Sequence, residues 1–183
     1  MTKQDIIQIP NPILRQRSKR IGHIDESVRQ LAEDMITATL DWEASRPHEV
    51  GAALAAIQVA QAYRLIVVRQ DFEDRGNPGF AVFINPEIVK AEGEPESDIE
   101  GCLSVPDIYG QVLRYPKVKL KALNLDGREV RLTARGFLAR VLQHEVDHTK
   151  GMLFIDHVKS PDDLFRLQTD GKFTPAGSDV PQA

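Results

Sequence analysis

Gln143-His144-Glu145-Val146-Asp147-His148-Thr149-Lys150-Gly151 is the stretch around which the rest of the chain organises itself. Phe137 and Val141 precede His144 on one helical face, and Gly151 stands where a helix ends on a residue free to turn left-handed. The spacing therefore predicts a helix from about residue 135 to 150. Positions i and i+4 of a helix lie on the same face one turn apart, so the imidazoles of His144 and His148 can share one metal ion. Glu145 beside them is then a candidate general base for a water at that ion. A plainer reading stays open at this point: two partly buried histidines and a solvated acid.

Outward from this helix the pattern changes period. Before it, Val118, Leu120 and Ala122 alternate with Lys117, Lys119 and Lys121, as in a half-exposed strand, and Asp126-Gly127 turns the chain into Val130 and Leu132. Further upstream, residues 65–68 and 80–84 read as strands, separated by a turn-rich segment at residues 74–79. From Asp25 or Ser27, as N-cap, apolar residues recur at Val28, Leu31, Met35, Ala38 and Trp42, which predicts a first helix ending before Pro47. Helices flanking a strand-rich middle indicate an α+β fold. Residues 1–20 read as a short apolar run followed by an irregular basic arm, and residues 171–183, rich in small and turn-forming types, as a frayed tail. No internal repeat is present.

The chain has 183 residues, 42% hydrophobic and 27% charged, enough for one domain with a real core. Twenty-three basic against 27 acidic residues give a net charge of −4, which argues against a protein built mainly to hold phosphate backbones. Residues 159–183 carry three basic and four acidic groups, so no basic tail for RNA is available. With one cysteine, Cys102, no intramolecular disulfide can form, which points to a reducing compartment. No apolar run has signal-peptide or membrane-span length, so a cytoplasmic protein is expected.

Two histidines need a third donor. One zinc-protease pattern continues as H-E-x-x-H-x-x-G-x-x-H; Gly151 fits it, but Phe154 occupies the place of the last histidine. No glutamate follows Glu145 to serve a second pattern, while Asp156, His157 and Asp162 remain formal candidates. Upstream, Glu100-Gly101-Cys102-Leu103-Ser104 offers a thiolate. A lone cysteine is more often a small buried hydrophobe, yet Gly101 frees the backbone for close approach and the histidine pair lacks a partner. A third segment, Gly51-Ala52-Ala53-Leu54-Ala55-Ala56-Ile57-Gln58, runs small residues up to an amide, which alone signals only a tightly packed helix or loop.

In order, spacing and composition these three segments together resemble the three motifs of peptide deformylases. The resemblance extends to about Val158 and implies a catalytic domain over residues 1–160, followed by a partly flexible extension over 161–183. It implies antiparallel β-sheets around a central helix carrying H-E-x-x-H. The implied activity is hydrolysis of the formyl group from the N-terminal formylmethionine of nascent polypeptides. The implied ligands of one divalent ion are Cys102, His144 and His148. Fe²⁺ is the expected ion, with Zn²⁺, Ni²⁺ and Co²⁺ suited to the same donors. Glu145 is implied as the proton carrier, with Gln58 and the Leu103 N–H as stabilisers of the developing oxyanion. Gly51, Ala53, Gly101, Phe137 and Val141 are implied around the substrate, and Glu100 with Arg114 beneath the cysteine loop. A monomer, proximity to the ribosome, and no direct contact with nucleic acid or membrane complete the expectation.

The chain departs from the family pattern at Ala53, where Gly is common, at Ile57, often Pro, and at Tyr109, where many relatives carry a basic residue. Ala53 and Ile57 motivate a second hypothesis, a metal- and peptide-binding paralogue with weak turnover. A third, a general metallopeptidase, is disfavoured by Phe154 and by the missing downstream glutamate.

Overall fold

The computed structural model describes residues 1–74, 76 and 79–177. Arg75, Asn77 and Pro78 of the expected turn, and residues 178–183, lie outside the described residues. The fold is α+β, with two antiparallel sheets and two α-helices among the described residues.

The first helix, α1 (Glu26–Ala44), begins where the sequence places it: the Asp25 carboxylate accepts from the N–H groups of Ser27 and Val28. Its buried residues Ala32, Met35, Ala38 and Trp42 follow helical spacing and pack on a five-stranded sheet of order β1-β2-β3-β6-β7. These strands are β1 (Ala53–Ala55), β2 (Leu65–Arg69), β3 (Phe80–Glu92), β6 (Lys117–Leu123) and β7 (Glu129–Arg135). On the opposite face lies α2 (Gly136–His148), which buries Ala139, Val141, Leu142 and Val146. β2 is buried along its whole length, because Leu65 and Val67 face α1 while Ile66 and Val68 face α2. That explains its unbroken apolar sequence.

Three boundaries differ from the sequence reading. α2 stops at His148 with Thr149 as its C-cap, and Gly151 takes its left-handed φ of 79° just beyond. β3 continues past Ile84, where the sequence reading ends the strand, to Glu92: a register shift absorbs Asn85 and Pro86, with Asn85 at φ 52°. The Asn85 amide donates to Ile21 O at 2.8 Å and its oxygen accepts from Ile21 N at 2.9 Å, so the bulge is also a tie to the N-terminal arm. Residues 51–58 form neither a helix nor a loop alone, but the short edge strand β1 followed by a 3-10 turn, Ala56–Val59.

The second sheet, of order β4-β5-β8-β9, has strands β4 (Glu96–Cys102), β5 (Val105–Arg114), β8 (Leu164–Leu167) and β9 (Phe173–Pro175). β4 and β5 form a hairpin whose turn holds Leu103 and Ser104, and β8 pairs with β5 from Ile108 to Gly110. Within the stretch read as a frayed tail, Phe173, Thr174 and Pro175 pair with β8. Val105, Ile108 and Val112 form a small core with Leu153 and Phe154. No helix among the described residues is long and apolar enough to cross a membrane.

Candidate metal centre

The cleft lies where β1, the end of β4 and the face of α2 meet, a space of about 280 Å³. Its lining includes Ala53, Gln58, Gly101, Cys102, Leu103, Phe137, Val141, His144 and Glu145. At its floor the side chains of Cys102, His144 and His148 bring one donor atom each within 4.8 Å of one another. His148 Nε2 lies 3.1 Å from His144 Nε2 and 3.3 Å from Cys102 Sγ. α2 supplies the two rings one turn apart, and the β4–β5 turn carries the sulfur to them. One cysteine sulfur and two imidazoles converging in this way form a donor set suited to Zn²⁺, Fe²⁺ and neighbouring first-row ions.

Electrostatics sharpen this picture. Burial works against charge on His144, but contacts with Cys102 and Glu100 outweigh it and hold its pKa well above the ordinary range. Burial, reinforced by His144, pushes His148 well below it, so that ring is a neutral donor. Glu145 is 4% exposed and its Oε2 has no hydrogen-bond partner among the described residues. Burial pushes its carboxyl up to about 7. A buried, unpartnered carboxyl beside a donor cluster is poised to exchange a proton.

Gln58, 1% exposed, is aimed by its neighbours. Its oxygen accepts from Ala55 N–H at 2.8 Å, which turns the amide nitrogen toward Ser104 Oγ at 3.1 Å and Cys102 Sγ at 3.4 Å. Glu100 and Arg114 form a buried pair, Nε to Oε1 2.9 Å and Nη2 to Oε2 3.1 Å. Burial alone would raise the Glu100 carboxyl; hydrogen bonds from His144 and Arg114 overcome this and hold it well below the carboxylate range.

Other placements were not expected. Gly51 does not line the cleft: its N–H donates to Glu43 at 2.9 Å, and a Cβ there would crowd Thr39 of α1. Gly101 is required less for reach than for cover, because a Cβ would fall on the ring of Tyr109. Tyr109 donates to Glu49 and packs edge-on against Phe173 of β9, centroids 4.9 Å apart. Ala53 lines the cleft in β1 without a positive φ, and Ile57 fills the core under α2. Phe137, 54% exposed, stands at the rim and meets Phe72 edge-on.

The sequence reading missed Ser104, Arg140 and Asp147. Arg140 donates to Glu100 at 2.8 Å, and Asp147 accepts from Arg114 at 2.5 Å and lies 2.9 Å from His157. Helical spacing could have found two of them, since 140, 144 and 147 share one face of α2. Asp156, His157 and Asp162, the formal third donors, are not part of the cluster.

Comparison with known proteins agrees in one direction. The family described as polypeptide deformylase matches residues 3–163. A protein of Thermomicrobium roseum named peptide deformylase is 47% identical over 162 residues, 87% of this chain and 88% of that one. One of Agrobacterium fabrum with the same name is 39% identical over 176 residues, 96% and 97% of the two chains. Among solved structures, a peptide deformylase from Synechococcus elongatus in complex with actinonin superposes with a TM-score of 0.77 at 38% identity, covering 84% of this chain and 79% of that one.

Proposed function

The chain belongs to the peptide deformylase family, and from that premise we propose how its residues divide the work of removing the formyl group from N-terminal formylmethionine. Cys102 Sγ, His144 Nε2 and His148 Nε2 hold one divalent ion, a reading supported above all by the convergence of these three atoms within 4.8 Å at the cleft floor. When bound, such an ion acidifies water and polarises the formyl oxygen. Glu145 takes the proton from the attacking water and returns one to the leaving amine, which releases formate and a free N-terminus. As charge grows on the formyl oxygen, the Gln58 amide and the Leu103 N–H donate to it. The thiolate of Cys102 lowers the net charge of the donor set, which suits an unhindered formyl carbon better than an ordinary peptide bond.

Ala53, Gly101, Phe137 and Val141 contact the substrate, Val141 and Phe137 on the side of the methionine side chain. Gly51 acts one layer behind, fixing the strand that carries Ala53. Glu100 and Arg114 orient His144 and the cysteine turn. Fe²⁺ is the resident ion on this reading; Ni²⁺, Co²⁺ and Zn²⁺ fit the same donors. Residues 1–160 form the catalytic domain and 161–183 an extension, in keeping with a family match that ends at residue 163. We place the protein as a cytoplasmic monomer working near the ribosome on nascent chains.

Turnover measured on formyl-Met, acetyl-Met and unblocked Met peptides is the test. Cleavage confined to the formyl substrate is expected, and cleavage of internal peptide bonds or of none of the three would overturn the assignment. Air exposure separates the ions: the Fe²⁺ form should lose activity through oxidation while the Ni²⁺ form persists.

A further inference from the structure

The N-terminal arm, irregular in sequence, runs behind the site. Its backbone donates to one carbonyl in each of the three segments that meet at the cleft floor: Ile7 N–H to Gln58 O at 2.8 Å, Ile9 N–H to Ser104 O at 3.0 Å, and Ser18 N–H to Thr149 O at 3.0 Å. Gln58 aims its amide into the cleft, Ser104 holds that amide two residues beyond Cys102, and Thr149 follows His148. The side chains of the arm are divided in the same way. Ile6 sits in the core between α1 and the sheet, Ile13 packs on the core under α2, and Ile9 packs on the small core of the second sheet. Arg15 grips Asp156, Nη2 to Oδ1 3.0 Å, and its carbonyl lies where a Cβ on Gly151 would fall.

Three core clusters, which between them carry the segments of the site, are thus bridged by one short stretch of chain. On the cleft side the segments are joined by side-chain contacts, Gln58 to Cys102 and Glu100 to His144. On the far side the arm joins them by backbone hydrogen bonds. Backbone bonds to all three segments fix relative placement more tightly than long side chains do, and catalysis is sensitive to misplacement of about 1 Å.

We propose that residues 6–18 form a positioning strap that sets the placement of Gln58, Cys102 and His148 relative to one another; this rests on the site assignment given above. The test uses the full chain loaded with Co²⁺, whose visible spectrum reports thiolate and imidazole geometry. Arg15→Met with Ile9→Ala loosens the strap without touching the cleft lining, and Arg15→Met alone is read if the pair does not fold. The variant should keep the wild-type circular dichroism, shift the cobalt bands, bind Co²⁺ more weakly in competition with a chelator, and lose kcat by about tenfold with KM changed less than about twofold. A lower melting temperature with unchanged cobalt bands, Co²⁺ affinity and kcat would overturn the proposal and leave the arm as a stabiliser only. Absence of a thiolate-to-cobalt band in the wild-type protein would instead overturn the ligand assignment, and the strap with it.

Discussion

His144 Nδ1 lies 3.0 Å from Glu100 Oε2. A carboxylate can only accept, and hydrogen bonds from His144 and Arg114 keep Glu100 ionised, so Nδ1 carries a proton held by Glu100 and Nε2, which faces His148, is the nitrogen left to serve as a donor once it gives up its own proton. One buried acid thereby fixes which nitrogen of the ring is offered as a donor.

Cys102→Ala should retain the fold and lose most of the bound metal, since two imidazoles alone make a weak, open site. A fall in affinity of at least about a hundredfold is expected, measured by metal analysis after gel filtration. Full occupancy in the variant would remove Cys102 from the ligand set.

Glu145→Gln should behave in the opposite way, keeping the metal and losing turnover by about 10²–10⁴-fold, because it removes the proton carrier and no ligand. The check is metal content and kcat on the same preparation. Turnover like that of the wild type would sink the proposed role.

Arg114→Met should destabilise the protein at neutral pH by about 3–5 kcal/mol, because Glu100 and Asp147 are left buried with too few partners. Both carboxyls are held below their ordinary values of 4.5 and 3.8 in the folded chain. Their contribution is therefore present in full above those values and is lost as pH falls through them toward the depressed folded ones. The melting-temperature gap between wild type and variant should narrow below about pH 4.5. A gap that stays constant or widens in acid would contradict the pairing.

Gly101→Ala should weaken metal binding even though residue 101 is not a donor, because the new methyl meets the Tyr109 ring and must push the cysteine turn or the ring aside. Adding Tyr109→Ala removes the clash and should restore metal affinity. Failure of the double variant to recover would mean that Gly101 serves a backbone need that Tyr109 does not set.

Ala53→Gly tests the departure that most separates this chain from the family pattern. Ala53 has no left-handed φ to relieve, so any penalty from its methyl is crowding of substrate. The variant should raise kcat/KM on formyl-Met peptides, with a melting temperature equal or slightly lower from the roughly 0.5–1 kcal/mol cost of glycine in a strand. An unchanged or reduced kcat/KM would show that the methyl is accommodated.

Local pattern alone was sufficient for much of this molecule. The i, i+4 spacing of His144 and His148, the Asp25 cap of α1, and the alternation along β6 depend on neighbours close in the chain, and each is where the sequence places it. The strand pattern fails at Asn85-Pro86, where residues that usually break a strand are carried by a bulge tied to Ile21, 64 positions away. It is silent at β8 and β9, whose few residues become strands because β8 finds the edge of β5 to pair with and β9 then finds the edge of β8. The site divides in the same way. Residue type and spacing point to Cys102, His144, His148 and Glu145. The tertiary structure alone decides that Gln58 turns its nitrogen toward the sulfur, that Tyr109 covers Gly101, and that Arg140 and Asp147 join the Glu100–Arg114 pair. Each of those facts depends on a partner distant in sequence, and the direction of a hydrogen bond or the cover of a ring exists only once the two segments are packed together.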